Sequence, residues 1–173
     1  MEVIRISRKK AISAIGLSSI FIVLSMMQLS LAYAAEPQDV SFEVQELNFY
    51  DFEPLKVKNK MSVTRFYATG LMTGDISGTF HWTETTTSHY ESPPPPYDLK
   101  LAKDEIEIVI VATVGTKSGE LVIKVKRIGI VASGHVEQTW RIVSGTGDLA
   151  KLRGTGEFTW TSPDEIEFEG TIR

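Results

Sequence analysis

The chain contains no cysteine. That excludes a disulfide, a thiolate nucleophile and a cysteine-linked lipid anchor, so an exported form must stand on its core alone. There is no Asn-x-Ser/Thr acceptor site for glycosylation. Histidine is scarce, with three in 173 residues. His81 and His89, eight apart, would lie roughly 26 Å from each other along one strand, too far to share a metal. His135 sits at a turn. No metal and no cofactor is expected. No Ser-His-Asp arrangement is identifiable either, since nothing in the spacing orients a base. Beyond residue 36, apolar residues nowhere recur convincingly at helical spacing.

The first 35 residues are of a different kind. Arg5, Arg8, Lys9 and Lys10 precede an uncharged, largely apolar run from Ala11 to Leu31. Ala32-Tyr33-Ala34 then offers a small-x-small cleavage pattern, and Glu36-Pro37 opens polar chain. This order reads as a signal peptide over 1–35, and the same run is long enough to serve as a retained anchor. Either way the domain, 36–173, is expected outside the cytoplasm. Removing the leader's four basic residues and one acidic residue from totals of 18 and 22 leaves 14 and 21, a net of −7. Such a surface repels phosphate backbones and anionic lipid, so neither nucleic-acid binding nor membrane insertion of the mature domain is expected.

What recurs instead is alternation of period two, the mark of strands with one buried face. Eight runs show it: Val40–Leu47, Ser62–Met72, Gly74–Thr86, Asp104–Val114, Gly119–Ile130, His135–Ser144, Thr155–Thr161 and Glu165–Ile172. In the fourth, Ile106, Ile108, Ile110, Ala112 and Val114 form an apolar face. Most links between the runs are short and carry turn residues, which favours antiparallel neighbours. Two connections are read as longer loops, Phe49–Lys60 and Thr87–Lys103. The second holds Pro93 to Pro96, which cannot join a ladder and favour polyproline II. The fold class expected is all-β, a single antiparallel barrel of about eight strands.

The stretch "SGTGDLAKLRGTGEF", Ser144 to Phe158, looks like a phosphate loop but lacks Gly-Lys-Ser/Thr opening a helix. Alternation resumes after Gly156, so the stretch reads as strand, turn, one short helical turn and strand. Gly145 and Gly147 can take positive φ. Leu149 and Leu152 can plug one end of a barrel, and Gly154 and Gly156 permit a bulge or close approach. "TWRIVSGTGDLAKLRGTGEF", "TGDISGTF" and "GTKSGELVIKVKRIG" together resemble, in order, an uncharacterised family of bacterial domains with the allene-oxide-cyclase-like β-barrel. Leu121 and Lys151 depart from its pattern, as does the four-proline insertion. The resemblance implies a hydrophobic cavity and says little about chemistry.

Polar side chains that fall on apolar faces are the remaining signal. Glu84 is in phase with Ile76, Phe80 and Trp82, and Gln138 with Val136, Trp140 and Ile142. Arg65 and Tyr67 share a face with Val63 and Leu71. A carboxylate inside a barrel has a raised pKa and can act as acid or base, unless an inward Arg65 holds it ionised. Glu84 and Tyr67 are therefore candidate catalytic groups. Arg65, Phe80, Trp82, Gln138, Trp140 and Trp160 are candidate ligand-binding residues, since a barrel's core is also its pocket wall. The leading functional expectation is an exported barrel binding a small apolar or amphipathic molecule. The alternatives are a cyclase or isomerase of the allene oxide cyclase type, and an envelope protein without a ligand.

Overall fold

The computed structural model describes residues 36–90, 99–130, 135–162 and 165–173. The expected signal peptide and the four prolines lie outside these. The rest is all-β. Eight strands follow in order: β1 Gln38–Lys58, β2 Met61–Gly74, β3 Ser77–Tyr90, β4 Leu99–Val114, β5 Lys117–Ile130, β6 His135–Gly145, β7 Gly154–Ser162 and β8 Glu165–Ile172. Each pairs antiparallel with the next, and β1 pairs with β8, so one sheet closes on itself as a ring. The expectation of eight antiparallel strands is met.

Alternation decides which side chains enter. On β4, Ile106, Ile108, Ile110 and Ala112 are buried, while Glu105 and Glu107 face solvent beside Lys103 and Lys124. Those exposed ion pairs contribute little. Within the ring, Phe42 of β1 stacks on Phe168 of β8 at 4.8 Å, and Phe158 of β7 lies 5.6 Å from Phe168. Trp140 of β6 meets Phe42 edge-on at 5.2 Å. These rings bind the first strand to the last three through the interior.

One end of the ring is stoppered by the glycine-rich stretch. Gly147 has φ +57°, and a 3-10 turn, Gly147–Leu149, follows it. Leu149 is fully buried, and Leu152 packs against the same core. Thr146 fixes the turn to β5: its N–H donates to Glu120 O, and its Oγ1 accepts from Glu120 N–H. The expected plug is therefore present. Gly156 and Gly170, opposite each other on β7 and β8, lie under the Trp140 indole, whose Nε1–H donates to Glu169 O at 3.0 Å.

Two expectations are corrected here. Phe49–Lys60 is not a loop: β1 runs on to Lys58 and turns directly into β2. Alternation failed there because β1 slips register against β2 between Gln45 and Asn48, Phe49 and Asp51, and Pro54 and Lys56. Each bulge adds a residue and reverses the phase. The loop over Thr87–Lys103 is likewise shorter than expected, since β3 runs to Tyr90 and β4 starts at Leu99.

Candidate functional site

At the end away from the plug the ring is hollow. Beyond Val44, β1 leaves β8 behind; among the described residues of β1 only Gln38–Val44 pairs with β8. The described pairing of β6 and β7 covers only Thr139–Arg141 against Thr155–Glu157. The strands therefore part on both sides of β7 and β8. The space between holds an open cavity of about 690 Å³. Phe49, Tyr50 and Phe52 of β1 and Phe66 of β2 wall one side, and Trp160 of β7 the other. Glu84 of β3 and Arg127 of β5 supply charge.

The polar groups come from strand positions that continue the inward phase. Glu84 follows Phe80 and Trp82 on β3, Asp104 precedes Ile106 on β4, and Arg127 follows Val125 on β5. Register sets Asp104 opposite Arg127, and Arg127 opposite Gln138. Asp104 is completely buried, and its Oδ2 accepts from Arg127 Nε at 2.5 Å. The Arg127 guanidinium also lies 5.5 Å from the Trp160 ring centroid, a cation–π contact. Among the described residues, two buried polar atoms of the group have no hydrogen-bond partner: Asp104 Oδ1 and Trp160 Nε1.

Glu84 is buried and accepts hydrogen bonds from Trp82 Nε1 at 3.3 Å and Thr86 Oγ1 at 3.2 Å. Its carboxyl is pushed above the ordinary carboxylate range, first by burial and then by the negative charge of Asp104. The two hydrogen bonds and Arg127 pull the other way. A raised folded-state pKa means that the native state holds this proton longer than the unfolded chain does. The contribution of Glu84 to native stability therefore falls as pH rises from 4.5 through the raised value. Above that range the buried charge is a constant cost. Replacing Glu84 with Gln is expected to leave the fold intact, flatten this decline and raise the melting temperature at neutral pH. A thermal scan series across about pH 4 to 8 reads it, and a melting temperature lowered at neutral pH would contradict it.

Of the residues singled out by sequence, Glu84 and Trp160 line the cavity. Trp82 stands behind them, edge-on to Trp160 at 6.3 Å, and Phe80 is buried deeper. Gln138 is half-buried on β6 opposite Arg127. Trp140 belongs to the plugged half and does not line the cavity. Arg65 and Tyr67 do not point inward. Their β2 neighbours Ala68 and Met72 are the buried ones, which turns the odd-numbered face outward. There Arg65 and Tyr67 both reach Glu53, at 3.9 and 3.5 Å, so Arg65 is not the partner of Glu84.

Sequence reading missed Asp104, Arg127 and the aromatic wall. The signal for the first two was present, because both extend an apolar alternation by one step. The inner face of β2 was masked by its own residues. It reads Phe66, Ala68, Gly70, Met72, small where Phe80 leans across: a Cβ on Gly70 would lie 2.6 Å from that ring. Among the described residues, no group of three or more metal-binding side chains is present.

No protein-family model and no curated protein matches the chain. A crystal structure of a protein of unknown function from the DUF3224 family, from Shewanella oneidensis MR-1, is similar in fold, with a TM-score of 0.56 at 14% identity. The match covers 79% of this chain and 95% of that one.

Proposed function

We propose that the protein is an exported β-barrel that holds a small amphipathic molecule at its open end. The observation that carries this is the cavity itself, aromatic along its walls and charged at Glu84 and Arg127. Its volume of about 690 Å³ lies within the range of small-molecule sites. The apolar body of a ligand would lie against Phe49, Phe52, Phe66 and Trp160. A polar group at its end would meet Glu84 and Arg127, the charged residues of the lining. Export rests on the composition of residues 1–35. The finer assignment, an allene-oxide-cyclase-like barrel, is supported by the sequential strand order, the β1–β8 closure and the plugged end.

A second reading, a cyclase or isomerase, has one observation in its favour. Glu84 borders the cavity with a raised pKa, as a proton-transfer group does. Tyr67, turned outward to Glu53, lends it no support.

Small molecules copurifying with the protein, identified by untargeted mass spectrometry, test the proposal. A recovered ligand should quench or shift tryptophan fluorescence through Trp160. Phe66→Ala should weaken it by about tenfold, as expected for a lost aromatic contact, with little change in melting temperature. Full occupancy of the Phe66→Ala protein would refute the site. Conversion of the bound molecule by wild type but not by Glu84→Gln would decide for the enzyme.

A further inference from the structure

Among the described residues no strand covers one edge of the far half of β1, and the sequence of this half is complementary to itself. We infer that the protein forms a two-fold dimer in which the Asp51–Lys58 segments of two copies pair antiparallel, with Asp51 opposite Lys58 and Glu53 opposite Lys56.

One side of this segment pairs with β2; among the described residues no strand pairs with the other. Every residue from Asn48 to Lys60 is exposed, including Phe52, Leu55 and Val57. The Phe52 N–H donates to Asp51 Oδ1 at 2.8 Å. An open edge with large apolar side chains is a template for another strand.

The order of residues selects the partner. The segment reads Asp-Phe-Glu-Pro-Leu-Lys-Val-Lys, acidic in its first half and basic in its second. Turned about a two-fold axis between Pro54 and Leu55, it sets each acid against a lysine and Phe52 against Val57. Directly opposed residues of an antiparallel pair must lie on the same face of the sheet. A regular strand would fail this test, because positions 51 and 58 would point to opposite faces. The bulge at Leu55 repairs it. Asp51 and Glu53 pair with Tyr67 and Arg65 on the outward face of β2, and Lys56 and Lys58 pair with Val63 and Met61 on the same face. Phe52 and Val57 pair with Phe66 and Ser62 on the inner one. The extra residue thus aligns all four charges outward and both apolar groups inward. Among the described residues Lys56, Lys58 and Asp51 make no ion pair, and Glu53 has only Arg65 at 3.9 Å. Proline, lysines and bulges ordinarily discourage edge pairing. Here they leave one register open, and it is the symmetric one.

Charge reversal tests this on the purified protein by sedimentation equilibrium. Wild type is expected to dimerise, more weakly as salt is added. D51K/E53K makes the segment wholly basic, and K56E/K58E makes it wholly acidic. Each should weaken self-association by at least about 100-fold. Mixed one to one, they should form a heterodimer with an affinity near that of wild type. The quadruple reversal D51K/E53K/K56E/K58E should dimerise again. All four positions are exposed, and circular dichroism confirms that each variant folds. A wild type that is monomeric at about 100 μM, double variants that dimerise unchanged, or a mixture that stays monomeric would each overturn the inference. Monomers whose β1 edge amides resist hydrogen exchange would assign the edge to another segment of the same chain.

Discussion

Gly156→Val is expected to cost at least about 3 kcal/mol, or roughly 10 °C in melting temperature, and to leave little folded protein at 37 °C. The reason is contact with backbone. A Cβ at this position would lie 1.9 Å from Glu169 O, 2.7 Å from Gly170 Cα and 2.7 Å from Trp140 Nε1. None of these is the tip of a flexible side chain. Glu169 O also accepts the Trp140 indole hydrogen bond, so displacing it unseats the ring that meets Phe42. The β6–β7 seam has few paired residues, and Gly156 lies in it, opposite Trp140. Gly129→Ala provides the contrast: its Cβ would meet nothing within 4 Å, and stability should move by less than about 0.5 kcal/mol. Urea denaturation of both variants measures the difference, and equal midpoints would refute the close-approach account.

Arg127→Met is the second large effect, expected at about 3 to 5 kcal/mol. Asp104 is wholly enclosed, and one of its oxygens has no partner among the described residues. Removing the guanidinium leaves the whole carboxylate in the interior with nothing to balance it. The reverse change should be mild. Asp104→Asn leaves an arginine whose side chain is 34% exposed and can turn to water, at a cost of about 1 kcal/mol. The double variant D104N/R127M should recover at least half of the loss caused by Arg127→Met alone. Additive costs in this cycle would mean that the two groups act separately, against the geometry described.

The strand content was legible because most strands here obey one rule, an inward residue at every second position. The β8 bounds read from alternation coincide with those observed, and the plug was visible in Leu149 and Leu152. What could not be read follows from breaks in that rule. Three bulges in β1 reverse its phase, so Phe49, Tyr50 and Phe52 did not register as a wall. On β2 the inner face is small at Ala68 and at Gly70, which lies under Phe80, and its outer face carries Val63 and Leu71, which made the wrong side look buried. Glu84 stood out as a charge closing an apolar series. Asp104 and Arg127 did the same at the start of β4 and near the end of β5, and the two strands had to be placed side by side before they became a pair.

The sequential order of the strands has a consequence for how the molecule is made. Every pairing but one joins strands adjacent in the chain, so hairpins can add one after another at small entropic cost. Among the described strands only the β1–β8 pairing spans the whole domain, and it needs the last strand. Closure is therefore expected to be the slow, late step of folding. Until it occurs, Gln38–Val44 is an open edge as well, continuous with the far edge of β1 that no described strand covers.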